Sequence, residues 1–228
     1  MLFRSLVKRV QLAHLPIHYA RLQFYLVGGA DYLGPERAPE VLDSFTRTLR
    51  SHQIKQFGEQ FGEDAIDDFI QRAKTAPEYI RDWHLLGPFD NTDRAGFDTA
   101  WPPETGVDLD ASYTGAGGAT IRWKAYEPGS TGYVDLARAI RPDDVPGVAY
   151  AYRTMESDTD KTVQISLGSN DGVKLWLNGE LLLSSKTSRV ARPRDELVTF
   201  PLKKGTNTVL VKIDQLGGGW GFFFAVEP

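Results

Sequence analysis

The sequence predicts a mainly β protein in which an antiparallel β-sandwich follows an α-helical N-terminal segment. Two observations support this fold class. Up to about residue 82, apolar side chains recur about every three to five residues, as on the buried face of a helix. From Trp83 onward they alternate with polar ones, and turn residues interrupt the chain about every ten residues, with no helices between the strands. We therefore predict a helical segment at residues 1–80 and a β-sandwich at residues 81–228.

The helical segment contains three stretches with helical periodicity. Residues 38–58 include Pro39, a favoured first-turn residue, and carry apolar side chains at Val41, Leu42, Phe45, Leu49 and Ile54. Residues 62–80 repeat the pattern, with acidic residues early and basic residues late, as the helix dipole favours. Residues 3–27 are also helix-like, and we expect a break near Pro16.

The charges of the first thirty residues are all basic and lie at Arg4, Lys8, Arg9 and Arg21. They form either a solvated helix face or a docking surface for a partner or a membrane.

In the sandwich we expect strands at residues 81–89, 145–157, 161–168, 173–177 and 220–226, and two strands within residues 197–213. Gly87-Pro88 is expected to close the first strand. Asp158–Asp160 and Lys203–Gly205 are predicted as hairpin turns, and Asp171-Gly172 and Asn178-Gly179 as tight turns around residues 173–177. The irregular stretch at residues 90–118 is long for a compact domain, which indicates a functional loop or a packed lid.

Charge and composition exclude several classes of function. The 228 residues carry a formal net charge of −4, so no overall positive field favours nucleic acid. The chain has no cysteine, which excludes disulfides, thiolate metal sites and cysteine nucleophiles. No apolar run reaches the roughly 18 residues that a membrane span requires. The N-terminus also lacks the apolar core and cleavage site of a secretory signal, so the residues leave the location open.

Motifs for catalysis or metal binding are weak. The sequence contains no G-x-S-x-G, no glycine-rich phosphate loop and no H-E-x-x-H, so we expect no enzymatic activity. His14 and His18 have a spacing that suits a metal on a helix, but Pro16 lies between them and no third ligand is near, which favours two ordinary histidines. Carboxylates in the irregular stretch either cap turns or bind a structural calcium ion, and they lie at Asp90, Asp93, Asp98, Glu104, Asp108 and Asp110.

The five tryptophans are the first candidates for ligand contact, because sugar rings stack on aromatic rings while nearby polar groups bind their hydroxyls. Trp83 and Trp123 alternate in phase with apolar neighbours and are predicted to lie in the core. Trp101, followed by two prolines, is either a rigid ligand contact or a plug for the irregular stretch. Trp220 follows three glycines that would let another molecule approach, but it is in phase with the apolar side chains of the last strand.

Trp176 is the most informative of the five. In its strand Val173, Leu175 and Leu177 share one face, and Lys174 and Trp176 share the other. If the first face is the core, two interpretations of Trp176 are open. It is a stacking platform for a ligand, with the charge of Lys174 beside it, or it is buried under the N-terminal helices or the irregular stretch.

A basic loop follows this strand and its turn. Arg189, Arg192 and Arg194 either are solvated or contact an acidic glycan, since the guanidinium group matches carboxylate and sulfate geometry.

Four stretches, WHLLGPFDN, GFDTAWPPE, GSNDGVKLWLNG and LKKGTNTVLVK, together resemble the galactose-binding-like β-sandwich modules of multidomain bacterial extracellular proteins of the Planctomycetes type. The last two also resemble the jelly-roll sugar-binding domain of family 2 glycoside hydrolases and, less closely, the anthrax-protective-antigen-type lectin module. The resemblance covers about residues 80 to 228. It implies a jelly-roll-like sandwich, an extracytoplasmic location and often a calcium ion. Many such modules bind glycans, and others act as spacers or lids.

We therefore expect a non-catalytic carbohydrate-binding accessory module that recognises a glycan or polysaccharide. The expected ligand-binding residues are Trp176, Lys174, Trp101, Trp220, Arg192 and Arg194. The alternative is a structural or interdomain module of a larger protein, with no glycan ligand and with helices that dock a neighbouring domain. We expect no nucleic acid partner, no membrane span and no cofactor other than the calcium ion.

Overall fold

The structure is a computed structural model that describes residues 12, 14–22, 38–54, 67, 70, 78–128, 132–140 and 146–228. The chain divides into two compact units. The first consists of residues 1–77, 129–132 and 228, and the second of residues 78–128 and 133–227. The division predicted between residues 80 and 81 thus lies close to the one between residues 77 and 78.

In the first unit the described residues are helical at positions 14–22 and in α1, Ala38–Ser51. The helix at 14–22 runs through Pro16, so the break expected there is not found among these residues. A small apolar core consists of the buried side chains Leu15, Leu22, Val41, Leu42, Phe45, Leu49 and Ile70. Most of the helix predicted at residues 62–80 and the basic residues Arg4, Lys8 and Arg9 lie outside the described residues, whereas Arg21 is exposed. At residues 78–80 the helical prediction is wrong, because Glu78–Tyr79 form a strand that pairs with Val226 and Ala225.

The second unit contains the strands and two short helices. The strands are β1 Glu78–Tyr79, β2 Trp83–Asp90, β3 Ser112–Thr114, β4 Thr120–Arg122, β5 Lys124–Tyr126, β6 Tyr133–Asp135, β7 Gly147–Ser157, β8 Lys161–Ser169, β9 Val173–Leu177, β10 Glu180–Ser185, β11 Glu196–Leu202, β12 Gly205–Gln215 and β13 Gly221–Val226. The helices are α2 Ala95–Asp98 and α3 Leu136–Ile140.

These strands form two main antiparallel sheets and confirm the predicted fold class. A five-stranded sheet has the order β1-β13-β8-β11, with β6 paired to β13, and a six-stranded sheet has the order β10-β9-β12-β7-β2-β5. The main apolar core draws its side chains from one face of each sheet, as in a sandwich. In β9 the inward side chains are Val173, Leu175 and Leu177, as predicted. Trp83 also lies in this core. Its ring packs edge-to-face against the rings of Phe222 and Phe224, and the ring centroids are 5.3 Å apart in each pair.

Two predicted hairpins are wrong. The turn at Asp158–Asp160 joins β7 of the six-stranded sheet to β8 of the five-stranded sheet, and the turn at Lys203–Lys204 joins β11 to β12 in the same way. Both turns therefore cross from sheet to sheet, because turn residues permit reversal of the chain without specifying the partner of the next strand. The β9–β10 hairpin at Asn178-Gly179 is confirmed, with φ of 52° and 82° at these residues.

The first strand also differs from its prediction. β2 does not close at Gly87-Pro88 but continues to Asp90, with a register shift against β7 between Leu86 and Phe89. A side chain at Gly87 would collide with the β7 backbone, since a Cβ there would lie 3.0 Å from the oxygen of Val148. Gly87 therefore allows β2 and β7 to lie close together and does not mark the end of a strand.

Residues 91–123, here called the cap segment, cover the outer face of the six-stranded sheet. The segment contains α2, short 3-10 turns at Thr92–Arg94, Pro102–Glu104 and Ala116–Gly118, and the β3–β4 hairpin. Together with the sheet it encloses a second apolar cluster of buried side chains, Leu86, Phe89, Ile121, Trp123, Val148, Tyr150, Trp176 and Leu210. The predicted burial of Trp123 is thereby confirmed, and the irregular stretch is a packed cover.

Candidate functional site

A row of side chains crosses four strands on the outer face of the six-stranded sheet. Trp176 of β9 lies opposite Leu210 of β12, and Leu210 lies opposite Tyr152 of β7. Tyr152 in turn lies opposite His84 of β2. Residues directly opposite each other share a face, so these four side chains form one cross-strand row. With strands about 4.8 Å apart, the row is about 14 Å long.

Two hollows lie along this row, and Tyr152 lines both. The first has a volume of about 220 Å³ and is lined by residues 103–107 of the cap segment together with Tyr152, Trp176, Gly179, Thr208 and Leu210. The second has a volume of about 200 Å³ and is lined by Leu109 of the cap segment and residues 82–84, 125–127 and 152–154. The two hollows together, here called the groove, have the row as floor, with residues 103–107 as the wall of the first hollow and Leu109 at the side of the second.

Hydroxyl groups run beside the apolar floor of the groove. Thr208 and Thr154 lie opposite each other, each two residues along its strand from Leu210 and Tyr152, respectively. Since side chains two residues apart share a face of a strand, the hydroxyls form a second row parallel to the first. An aromatic and apolar strip beside hydrogen-bonding groups is the combination that suits a sugar ring.

Trp176 contributes only an edge to this groove. The Trp176 side chain lies on the face of β9 opposite to the face that carries Val173, Leu175 and Leu177, as the alternation predicts. Under the cap segment only 7% of the residue is exposed. Lys174, on the same face, places its Nζ 4.8 Å from the centre of the Phe97 ring in α2. Both predicted residues therefore contact the cap segment, and Trp176 alone also lines the groove.

Trp101 and Trp220 have packing contacts. The Trp101 ring stacks on Phe89 with centroids 4.8 Å apart, and its Nε1 donates a hydrogen bond of 3.1 Å to the carbonyl of Gly96. Trp220 is 1% exposed in the core between the sheets, where its Nε1 donates to the carbonyl of Ile213 at 3.4 Å. Neither ring lines the groove.

The predicted basic loop lies beside the other sheet. The carbonyl of Arg192 packs on Gly168 of β8 so closely that a Cβ at Gly168 would lie 1.8 Å from it, and the Arg192 side chain is exposed. Arg194 donates two hydrogen bonds to the carboxylate of Glu227, at 3.0 and 2.5 Å. Arg189 is bound to Glu196 at 2.9 Å. The structure thus separates these arginines from Trp176.

The sequence did not single out the charged cluster that holds the cap segment on the sheet. Lys212 of β12 is fully buried, and its Nζ donates hydrogen bonds of 2.7 Å to Glu104 Oε1 and 2.7 Å to the Thr99 carbonyl. The hydroxyl of Tyr150 donates to the same Glu104 oxygen at 2.5 Å. Desolvation lowers the pKa of Lys212 and raises the pKa of Tyr150.

A second buried charge fixes the turn before β9. Asp214 accepts hydrogen bonds from Arg94 Nε at 2.7 Å and from the Gly172 backbone N–H at 2.6 Å. A Cβ at Gly172 would lie 2.6 Å from Asp214 Oδ1, so the glycine allows this close approach. The sequence signal for both clusters was the presence of Lys212 and Asp214 directly after and beside the apolar residues Val209–Val211 and Ile213 of the central strand β12.

Several of the carboxylates that either cap turns or bind calcium have other partners in the structure. Asp98 pairs with Lys186 at 2.6 Å, Asp108 accepts from the Asp110 N–H at 3.0 Å, and Asp90 accepts from the Thr92 hydroxyl at 2.9 Å. Within the described part of the chain, no group of three or more acidic residues or histidines could hold a metal ion. The rings of His14 and His18 are 5.9 Å apart, without a third ligand among these residues.

The described helices include none that is long and apolar enough to cross a membrane.

Comparison with known proteins shows only distant likeness. No protein-family model and no curated protein matches the sequence. Among solved structures, the chain is similar to a β-glucosidase from Kluyveromyces marxianus, with 14% identity, 64% of this chain and 16% of that chain covered, and a TM-score of 0.40. It is similar to a GH2 β-galacturonidase from Eisenbergiella tayi, with 11% identity, coverage of 66% and 24%, and a TM-score of 0.39.

The chain is also similar to the PA14 domain of the antifreeze protein MpAFP, with 15% identity, coverage of 35% and 42%, and a TM-score of 0.30. It therefore spans less than half the length of each of these structures. Likeness at this level carries no argument about function, and the Planctomycetes type stays a prediction.

Proposed function

We propose that residues 78–227 form a non-catalytic carbohydrate-binding module and that the groove is its binding site. The observation that supports this proposal is the position of Tyr152, which lines both hollows in a row with Trp176 and Leu210 and lies beside the hydroxyls of Thr154 and Thr208. Tyr152 provides the accessible aromatic surface, because it is half-buried whereas Trp176 is nearly covered.

The proposed site differs in membership from the residues that the sequence suggested. Trp176 stays in it as an edge of the floor, and Tyr152, Leu210, Thr154 and Thr208 join it. Lys174 and Trp101 support the cap segment instead. Trp220 is enclosed in the core, and Arg192 and Arg194 lie beside the five-stranded sheet, so we assign these three no contact with the glycan.

The bonds of Glu104 support the non-catalytic part of the proposal. Hydrolysis of a glycoside requires two carboxyl groups about 5.5 Å or about 6.5–9.5 Å apart, one of which donates a proton. Glu104 lines the first hollow, but its Oε1 already accepts hydrogen bonds from Lys212 and Tyr150. A carboxylate held in this way positions the cap segment and is poorly placed to transfer a proton to a ligand.

Retardation of the full chain in native gels that contain soluble polysaccharides tests the proposal. We expect at least one polysaccharide to retard the wild-type chain and Tyr152→Ala to abolish the effect. Leu197→Ala is the matched control, because Leu197 is an apolar side chain, 65% exposed, on the five-stranded sheet. The absence of retardation of the wild-type chain by every polysaccharide would refute the proposal.

A second candidate function is a structural or interdomain module of a larger protein, and the burial of Trp176 favours it. The face that resembled a sugar platform in the sequence is mostly occupied by the chain's own cap segment. Under this proposal the wild-type chain folds and binds no polysaccharide, and a neighbouring domain is the partner. The same gels separate the two candidates.

A further inference from the structure

We propose that the groove binds the interior of a linear, uncharged glycan chain that lies across the strands, with Tyr152 as its central contact. This inference rests on the proposed carbohydrate-binding function and adds the class of ligand, the direction in which it lies and the residue at its centre.

The direction follows from the floor of the groove. The row of Trp176, Leu210, Tyr152 and His84 runs perpendicular to the strands. The cap segment borders it in both hollows, with residues 103–107 in the first and Leu109 in the second. At about 14 Å, the row has the length of about three sugar residues. A single sugar would fill only part of it.

The ends of the groove are open. Beyond Trp176 the next strand places Leu181, which is 49% exposed, and a side chain at Gly179 would meet nothing within 4 Å. Beyond His84 the next strand places Ala125, a small exposed residue. Among the described residues, Ala125 leaves one end unobstructed, and at the other end Leu181 extends the apolar floor on the same face of the sheet, so a polymer can pass both ends. A site for a terminal sugar would instead be closed at one end.

The charges of the groove favour an uncharged chain. Of the described residues that line it, Arg153 is the one arginine or lysine, and its Nη1 is already bound to Asp82 Oδ1 at 2.6 Å. Glu127 lines the second hollow as an exposed carboxylate. An anionic sugar would therefore meet a like charge and no unpaired cation. The arginines suited to uronate or sulfate lie beside the other sheet.

The wall of the groove is held in place before any ligand arrives. Pro102–Glu104 form a 3-10 turn, and Glu104 is bound by both Lys212 and Tyr150 of the sheet. A preformed wall spares the ligand the cost of ordering a loop. Shallow contacts repeated along a fixed surface lead to affinity that grows with chain length until the row is filled.

Titration calorimetry of the full chain with xylo-, manno- and cello-oligosaccharides of increasing length, and with polygalacturonate, tests the inference. For at least one neutral series we expect Kd to fall by about tenfold or more between the monosaccharide and the trisaccharide, since each added ring gains contacts with the floor. Beyond about four residues Kd should change little, because the row is then filled. Polygalacturonate should bind more weakly than the matching neutral polymer.

Three variants locate the binding. Tyr152→Ala should remove the dependence on length, Tyr152→Phe should keep most of it because the ring remains, and Leu197→Ala should leave it unchanged. Thermal unfolding of each variant shows whether it is folded. If Tyr152→Ala proves unfolded, Thr154→Arg, which places a long side chain beside the floor, takes its place and should weaken the longest oligosaccharide most.

Two results would overturn the inference while the proposed function stands. These are a monosaccharide that binds as tightly as its hexasaccharide, and tighter binding of polygalacturonate than of any neutral chain. Retained length dependence in folded Tyr152→Ala would overturn both the inference and the assignment of the groove as the binding site. If no sugar of any kind binds to the wild-type chain, the proposed function and the inference fall together.

Discussion

The Nζ of Lys212 donates a 2.7 Å hydrogen bond to Oε1 of Glu104, and this pair fastens the cap segment to the centre of the six-stranded sheet. Lys212 is fully buried, and the Glu104 side chain is 12% exposed. Removal of one partner from a buried pair leaves an uncompensated charge, whereas replacement of both with apolar groups is often nearly neutral. The pair therefore determines where the cap segment lies more than it adds net stability.

We predict that Glu104→Ala lowers the free energy of unfolding by about 3–5 kcal/mol, because the Lys212 ammonium then stays buried without its carboxylate. The double variant Lys212→Met/Glu104→Ala should regain at least about half of this loss. Urea unfolding of the two variants and the wild type measures both values. Asp98→Ala, which breaks the exposed pair with Lys186, is the control and should cause no measurable change. A double variant that is as unstable as the single one would contradict the prediction.

For the second buried charge, we predict that Asp214→Asn lowers the free energy of unfolding by about 2–3 kcal/mol. The substitution keeps the shape but weakens two charge-assisted hydrogen bonds, from Arg94 and from the Gly172 N–H. Chemical denaturation measures the loss. Asp90→Asn is a matched control, since Asp90 is exposed and accepts hydrogen bonds from nearby Thr92. Equal effects of the two substitutions would show that Asp214 has no special role.

Trp176→Ala is predicted to lower the free energy of unfolding by about 3–5 kcal/mol, as truncation of a buried aromatic residue does. Trp176→Phe should lose less, because part of the ring contact with the cluster under the cap segment remains. Thermal or urea unfolding compares them, with Val190→Ala, at a position 72% exposed, as the control. A fully stable Trp176→Ala would mean that the cap segment does not cover this face in solution.

The free energy of unfolding is also predicted to fall at alkaline pH. Burial raises the pKa of Tyr79 to about 12 and that of Tyr133 to about 12. The folded state holds these protons more tightly than the unfolded chain, so their contribution is complete below pH 10 and is lost as the pH rises toward 12. The pKa of Lys212 is lowered by burial, so its contribution to the free energy of unfolding rises with pH instead of falling. This rise is complete once the pH passes the ordinary lysine pKa of 10.5.

Urea unfolding between pH 10.5 and 12 isolates the tyrosines, and the absorbance of tyrosinate follows their titration directly. Tyr133→Phe should make the decline with pH shallower, because one of the buried tyrosines with a raised pKa is then absent. If stability stays level or rises over this interval, these tyrosines are not shielded from solvent in the folded protein.

The strand β9 shows how far local sequence can predict the candidate site. Alternation placed Trp176 opposite Val173, Leu175 and Leu177, and the structure confirms the side. The same pattern could not predict what covers that side, because a strand covered by its own chain and a strand open to a ligand have similar residues. Tyr152 was not predicted as a site residue for a related reason. Its place in the proposed site depends on its neighbours Leu210 and His84, which lie on other strands.

The turns illustrate the same limit. Asn178-Gly179 and Asp158–Asp160 have similar turn residues, yet the first closes a hairpin and the second carries the chain from one sheet to the other. A turn requires only local backbone geometry, whereas the choice of partner depends on strands far away in the chain.

Periodicity and turn chemistry were enough to establish an antiparallel sandwich after a helical segment, because both reflect neighbours within a few residues. The groove and its ends depend on residues of several distant strands, and the two partners of the buried pair, Lys212 and Glu104, are separated by 108 positions in the chain. Such contacts form only when the apolar faces of distant strands are buried together, so they follow from the packing of the whole domain and not from any one stretch of it.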